Sequence, residues 1–247
     1  MPLIPAAFLT AQWRNLVMLN YEIDPAILQK RLPKGTELDF WNDRTYVSLV
    51  GFRFLETRVL GRRVPFHINF DEVNLRFYVR HKADGEWRRG VVFVKEIVPR
   101  MAIALVARWA YNERYIALPM KSVIDLPSNT NEQQGSVSYS WKWANQWHEL
   151  SAQISGEPIP LASGSEAEFI TEHYWGYAAQ RDGSTLEYQV EHPAWRVWPA
   201  QHSHFVGDVT TLYGPEFVEL LSRPATSAFV AEGSEIMVRH GLPTRIE

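Results

Sequence analysis

The 247-residue chain contains no cysteine, which removes disulfides, iron–sulfur centres and thiol nucleophiles from consideration. It also lacks a phosphate-binding glycine loop, a dinucleotide fingerprint and a serine nucleophile elbow, so no cofactor is expected. Charge is nearly balanced, with a formal net of −3 and a pI near 6.3, and that gives no electrostatic reason to expect nucleic acid or a membrane as partner. The first residues, MPLIPAAFLTAQWRN, have no basic leader and too short an apolar run for a secretory signal or a membrane span,. A soluble cytoplasmic protein is the expectation. No internal repeat, low-complexity tract or linker divides the chain, so residues 1–247 read as one domain. Self-association into a homo-oligomer is left open.

What the chain does have is aromatic residues, 13% of the total with ten Trp, and these favour a β-rich protein with a large aromatic-lined interior. Residues 11–22 read as a first strand. Asp24-Pro25 then supplies an N-cap and a proline at the first position of a short helix. Residues 38–41 and 46–54 read as a hairpin about Asn42-Asp43, and residues 57–66 (TRVLGRRVPF) as a solvated basic connection. Further hairpins are expected about Asp84-Gly85, Ala144-Asn145 and Asp182-Gly183. Residues 196–205 read as one strand and the SAFVAEG and EIMVRH segments as a last strand pair. Ser165 with Glu168 fits a capping box, and Gly214-Pro215-Glu216 opens a helix. Many short strands with three or four helices and no βαβ alternation predict a mainly β (α+β) fold. The expected architecture is an antiparallel β-barrel or clam with a few packed helices.

The most informative stretch is His67 to Lys121. Residues 71–80 alternate strictly, with Val73, Leu75, Phe77 and Val79 on one face and Glu72, Asn74, Arg76, Tyr78 and Arg80 on the other. Same-face neighbours stand roughly 6.6 Å apart, so acid, amide and guanidinium form a row. That row is either the wet side of a half-buried strand or the floor of a polar pocket. In the pocket reading Arg76 holds a carboxylate at two points while Glu72 acts as a general base or pairs with an arginine. The returning strand, Gly90 to Ile97, is interrupted by Lys95 and Glu96 on opposite faces. Pro99 then predicts an apolar helix to about Asn112 carrying Arg100 and Arg108. A buried arginine cannot lose its proton, so these two require Glu72, Glu96, Glu113 or an anionic ligand nearby. His202-x-His204 places two imidazoles on one strand face, but no third ligand is close in sequence and no metal is assigned.

Phe70-Asp71-Glu72-Val73-Asn74-Leu75-Arg76-Phe77-Tyr78-Val79 resembles the F-x-E-x-N-x-R-x-Y-V signature of the YqjF-like family of uncharacterised proteins. Gly90-Val91-Val92-Phe93 followed by Ala107-Arg108, and Gly164-Ser165 through Tyr174 to His192-Pro193-Ala194-Trp195, resemble it as well. The family looks like a branch of the acetoacetate decarboxylase-like superfamily. The resemblance implies a mostly antiparallel β fold closed around a hydrophobic pocket with a few charged groups inside. The superfamily's named enzyme uses a lysine of a Pro-Lys-Lys run as its Schiff-base nucleophile. Here Pro99-Arg100-Met101 is the nearest counterpart, and an arginine cannot form the imine. Lys95 is the best substitute, because an amine in an apolar strand would be desolvated.

His173, Tyr174 and His192 fall in the family-like segments and complete the candidate set. Each imidazole is a partly buried ring bonded to backbone or a ligand contact, and Tyr174 is core or cavity wall. Glu72 and Lys95 are thus the candidate catalytic residues. Asn74, Arg76, Arg100, Arg108, His173, Tyr174 and His192 are the candidate substrate-binding residues. The expected function is binding of a small organic acid or carbonyl compound, with lyase or hydrolase-like chemistry that does without the usual Schiff-base lysine. The alternative is a non-catalytic binding or interaction protein whose charged row only stabilises the barrel.

Overall fold

In the computed structural model, residues 6–100, 112, 114–127 and 134–244 are described. Four long strands carry the architecture's first half. β1 (Ala7–Ile23) leads through helix α1 (Pro25–Gln29) and the two-residue β2 (Glu37–Leu38) to β3 (Thr45–Val59). After β4 (Arg62–Arg63), β5 (Phe70–Ala83) turns at Asp84-Gly85 into β6 (Glu86–Val98). Both turn residues have positive φ, 53° and 84°, as a two-residue hairpin that matches strand twist requires. Asp24 caps α1 by accepting the Ala26 N–H at 2.8 Å.

Beyond β7 (Tyr115–Ala117), the strands β8 (Met120–Asp125), β9 (Gln134–Trp143) and β10 (Gln146–Ser155) form most of a second sheet. β11 (Ile159–Pro160), helix α2 (Glu166–Thr171), β12 (Trp175–Ala179), β13 (Thr185–Glu191) and β14 (Arg196–Pro199) return to the first. β15 (His202–Val206) completes the second sheet. Then come the short helices α3 (Val209–Leu212) and α4 (Val218–Leu221), the long β16 (Ser227–Arg239) and β17 (Leu242–Pro243).

The large sheet closes on itself. β1 pairs with β3, β3 with β5, β5 with β6, β6 with β12, β12 with β13, β13 with β16, and β16 with β1 again. Only the β6–β12 contact in this ring is parallel. The four-stranded sheet β15-β10-β9-β8 packs on the outside of this barrel. Its inner face supplies Val137, Tyr139, Trp141, Leu150 and Ile154, which meet Val17, Leu49, Val73, Leu75 and Phe77 in one buried cluster. Gly51 allows the close approach: a Cβ there would lie 2.6 Å from the Tyr139 ring. A second cluster, with Leu16, Phe52, Phe54, Phe70, Val91, Phe169 and Trp195, fills the barrel's other side. The fold is mainly β and clam-like, and β5 presents its two faces to the two clusters.

Several local expectations are corrected. Residues 38–41 do not form a hairpin with β3: β2 pairs with β5, Leu38 opposite Val79, and one bridge, Trp41 with Arg44, is all that the turn leaves. The cause is Asp39, whose N–H donates to Tyr78 O at 3.0 Å and whose carboxylate engages Arg89 and His173. Residues 196–205 are two strands in different sheets, β14 and β15, parted at Ala200-Gln201. The expected last strand pair is the single strand β16. Its Gly233, at φ 76°, is a kink opposite Arg14 rather than a turn. Pro99 and Arg100 are not helical and Arg100 is exposed. The rest of the helix expected to follow, including Arg108, lies outside the described residues.

Candidate functional site

The inner face of β5 lines a cavity of about 200 Å³. Glu72, Asn74 and Arg76 stand on its floor, and Glu96, Tyr115, His173 and His192 reach it from other elements. The walls are aromatic. Trp13 lies edge-on to Phe52, Phe54 and Trp195, with ring centroids 5.4, 5.9 and 6.3 Å away. Phe54 stacks on Phe70 at 4.5 Å, and Phe93, Trp175 and Tyr188 continue the lining.

Glu72 is 3% exposed. The Asn74 amide donates to its Oε1 at 3.0 Å and the Tyr115 hydroxyl to its Oε2 at 3.3 Å. Burial among apolar groups raises its pKa from 4.5 to about 7, against the smaller opposing pull of Asn74, Tyr115 and the Arg76 charge,. The same burial, with Glu72 and Glu96 close by, holds the Tyr115 hydroxyl well above its ordinary value, so it is a standing donor. Arg76 lies over the Tyr78 ring at 5.8 Å and makes no ion pair among the described residues. Tyr78, the next member of the alternating row, is tied instead to Ser48 at 2.6 Å.

A second group joins the cavity to the outside. Asp39 Oδ2 accepts from Arg89 Nε at 2.7 Å and faces His173 Nε2 at 3.1 Å. His173 is wholly buried, and desolvation lowers its pKa to about 4 despite the carboxylate beside it. It is therefore neutral at pH 7. With Nε2–H donated to Asp39, its Nδ1 is a bare acceptor without a partner among the described residues,. Other buried atoms on lining residues also lack a partner among the described residues: Asn74 Oδ1, Arg76 Nε, Thr57 Oγ1 and Trp13 Nε1. His192 stacks on Trp195 at 4.2 Å and hydrogen-bonds Pro193 O through Nδ1 at 2.9 Å. Burial lowers its pKa.

Of the residues singled out in the sequence, Glu72, Asn74, Arg76, His173 and His192 come together around one cavity. Tyr174 does not line it; its hydroxyl donates to Glu172 and its ring backs His192 at 4.8 Å. Lys95 is turned away. A bulge in β6 puts Lys95 opposite Leu75, whose side chain belongs to the core between the sheets, and brings Glu96 opposite Asn74. Arg100 is exposed beyond the end of β6. Asp39, Arg89 and Tyr115 carry no sequence signal, and Glu96 has been singled out only as a possible partner of an arginine. His202 and His204 are both exposed, and among the described residues no cluster of three metal-ligating side chains exists.

The uncharacterized protein YqjF of Bacillus subtilis (strain 168) is 26% identical over 208 residues, covering 82% of this chain and 80% of that one. Among solved structures, the enduracididine biosynthesis enzyme MppR complexed with pyruvate superposes with a TM-score of 0.67 at 13% identity, over 98% of this chain and 91% of MppR. The acetoacetate decarboxylase of Legionella pneumophila superposes with a TM-score of 0.63 at 15% identity, over 99% and 92%. At such identities the likeness is one of fold, the acetoacetate decarboxylase-like fold. The model of the DUF2071 family, described as an uncharacterized conserved protein, matches residues 10–235, so the chain belongs to that family.

Proposed function

We propose that the cavity binds a small organic acid or carbonyl compound, with Arg76 holding the anionic group and Glu72 exchanging a proton with the bound molecule. One observation carries the reading. Arg76 keeps its charge at any physiological pH, stands at an aromatic cavity and has no carboxylate partner among the described residues,. A row that served only to brace the barrel would pair its charges, yet Glu72 and Arg76 form no ion pair. Glu72, with a pKa near 7, is matched to proton transfer at neutral pH,. That MppR has been crystallised with pyruvate and with a pyruvate condensation product is in keeping with this ligand class. No lysine lines the cavity among the described residues, so the chemistry is lyase- or hydrolase-like without an imine.

Calorimetric titration with pyruvate, acetoacetate and lactate tests the proposal. Arg76→Ala is expected to weaken the best of these at least about thirtyfold, the worth of a charge-assisted bond of about 2 kcal/mol. Glu72→Gln is expected to keep binding and lose turnover. Unchanged affinity in the arginine variant would remove the anion site.

A further inference from the structure

The unpartnered atoms on the cavity-lining residues sort by type. Arg76 offers charge and donors. His173 and Asn74 offer the opposite. The Asp39 carboxylate accepts from His173 Nε2, so the neutral ring must carry its bare nitrogen at Nδ1,. The Asn74 amide nitrogen donates to Glu72, which fixes the flip of the side chain and leaves Oδ1 bare. Both acceptors belong to residues at least nine-tenths buried, 7% and 1% exposed. A buried acceptor without a donor is costly, and such groups mark the places where a native site receives a partner.

We infer that the molecule this cavity takes is a hydroxy acid: a carboxylate for Arg76 together with an O–H that donates to one of the bare acceptors, His173 Nδ1 or Asn74 Oδ1. The inference rests on the anion-binding reading above and narrows it. A plain oxo acid satisfies Arg76 but brings only further acceptors to His173 and Asn74. A hydroxyl reverses that mismatch. Asp39, anchored from the outside by Arg89, is the positioning residue that holds His173 in the accepting tautomer. The aromatic walls add room for an apolar substituent: a cavity of about 150 Å³ admits benzene, so about 200 Å³ accepts a ring with a short acidic chain.

The experiment compares matched acids by calorimetry: lactate, pyruvate and propionate, then 3-phenyllactate and 3-phenylpropionate. Each hydroxy acid is expected to bind at least about tenfold tighter than its deoxy or oxo counterpart. In Asp39→Ala that ratio is expected to shrink toward one while the Arg76-dependent affinity survives. Nitrogen-15 NMR of histidine-labelled protein gives a readout independent of affinity. His173, assigned by its loss in His173→Gln, is expected as the Nε2–H tautomer, with Nδ1 shifting on addition of 3-phenyllactate and not of 3-phenylpropionate. Equal affinities across each set, all weakened alike by Arg76→Ala, would overturn the hydroxyl inference and leave the anion site standing. Equal affinities are also the outcome if ordered water serves the two acceptors. Failure of every acid to bind would remove the anion site too, and an Nδ1–H tautomer would remove the acceptor.

Discussion

Replacing Glu72 with Gln is expected to leave stability nearly unchanged at acid pH and to raise it at neutral and alkaline pH,. Below pH 4.5 Glu72 is protonated in both folded and unfolded chains, so the substitution is close to neutral. Between 4.5 and about 7 the folded protein holds a proton that the unfolded chain has released. Stability therefore falls as pH rises through that window, by about 1.4 kcal/mol per pH unit at most. Above pH 7 the full penalty of a buried carboxylate applies, on the order of 3 kcal/mol, and Gln escapes it. His173 runs the other way. Its pKa falls from 6.5 to about 4, so between those values the unfolded chain binds the extra proton and stability rises with pH. In the shared range, 4.5 to 6.5, the two slopes oppose each other. The wild-type curve should be comparatively flat there, and Glu72→Gln should expose the slope of His173. Urea denaturation from pH 4.5 to 8 measures this. The variant is expected to match wild type at pH 4.5 and to exceed it by about 2–3 kcal/mol at pH 8. Parallel curves, with a difference independent of pH, would refute the assignment of a buried, proton-holding Glu72 against its Asn74, Tyr115 and Arg76 surroundings.

Two further outcomes test other parts of the structure. Asp39→Ala leaves the His173 Nε2–H buried without an acceptor, at 2% side-chain exposure, and releases the half-exposed Arg89. The expected loss is about 2–3 kcal/mol, nearly all from the histidine because the arginine contact is screened by solvent. Asp39→Asn, which keeps an acceptor, should lose less than half as much in urea titration. Lys95 faces the core side of β6 rather than the cavity. Borohydride reduction in the presence of pyruvate is therefore expected to leave the protein mass unchanged, and an adduct on Lys95 would show that β6 changes register.

Much of the fold is legible along the chain because it is local. Strict alternation in residues 71–80 fixes which side chains of β5 share a face, and Asp84-Gly85 fixes a hairpin because Asp and Gly take positive φ cheaply; at Ala144-Asn145 only the asparagine does so, and Ala144 is held at φ 47° by the turn,. The remainder depends on events distant in sequence. That the Glu72 face looks inward follows from closure of β13 on β16, where Val190 meets Val238, a pairing no local pattern encodes,. The β6 bulge is the sharper case. Counting back from the Asp84-Gly85 turn, from Ala83 opposite Glu86, puts Lys95 across from Asn74. The slip between Leu75 and Arg76 substitutes Glu96. One inserted residue thus exchanges a cation for a carboxylate at the cavity and moves Lys95 out of it,. Asp39 is invisible for a similar reason: its partners, Arg89 and His173, lie 50 and 134 positions away.

The two faces of β5 also explain how a buried charged row is tolerated. Val73, Leu75, Phe77 and Val79 are each 0% exposed and lock the strand between barrel and outer sheet. At roughly 1.5–3 kcal/mol for each large apolar side chain fully buried, that face alone outweighs the few kcal/mol lost by keeping Glu72 and His173 out of water. The order of the alternation is what matters: had the polar residues faced the outer sheet, the same strand would have met Tyr139, Trp141 and Leu150 and could not have held the barrel shut. Stability is concentrated on one side of the strand, and the Arg76 guanidinium, which has no ion pair among the described residues, the Glu72 carboxyl and the Asn74 acceptor are confined to the other. A stabilising substitution should accordingly be sought at the inter-sheet core and a change of ligand preference at Arg76, Asn74 and His173.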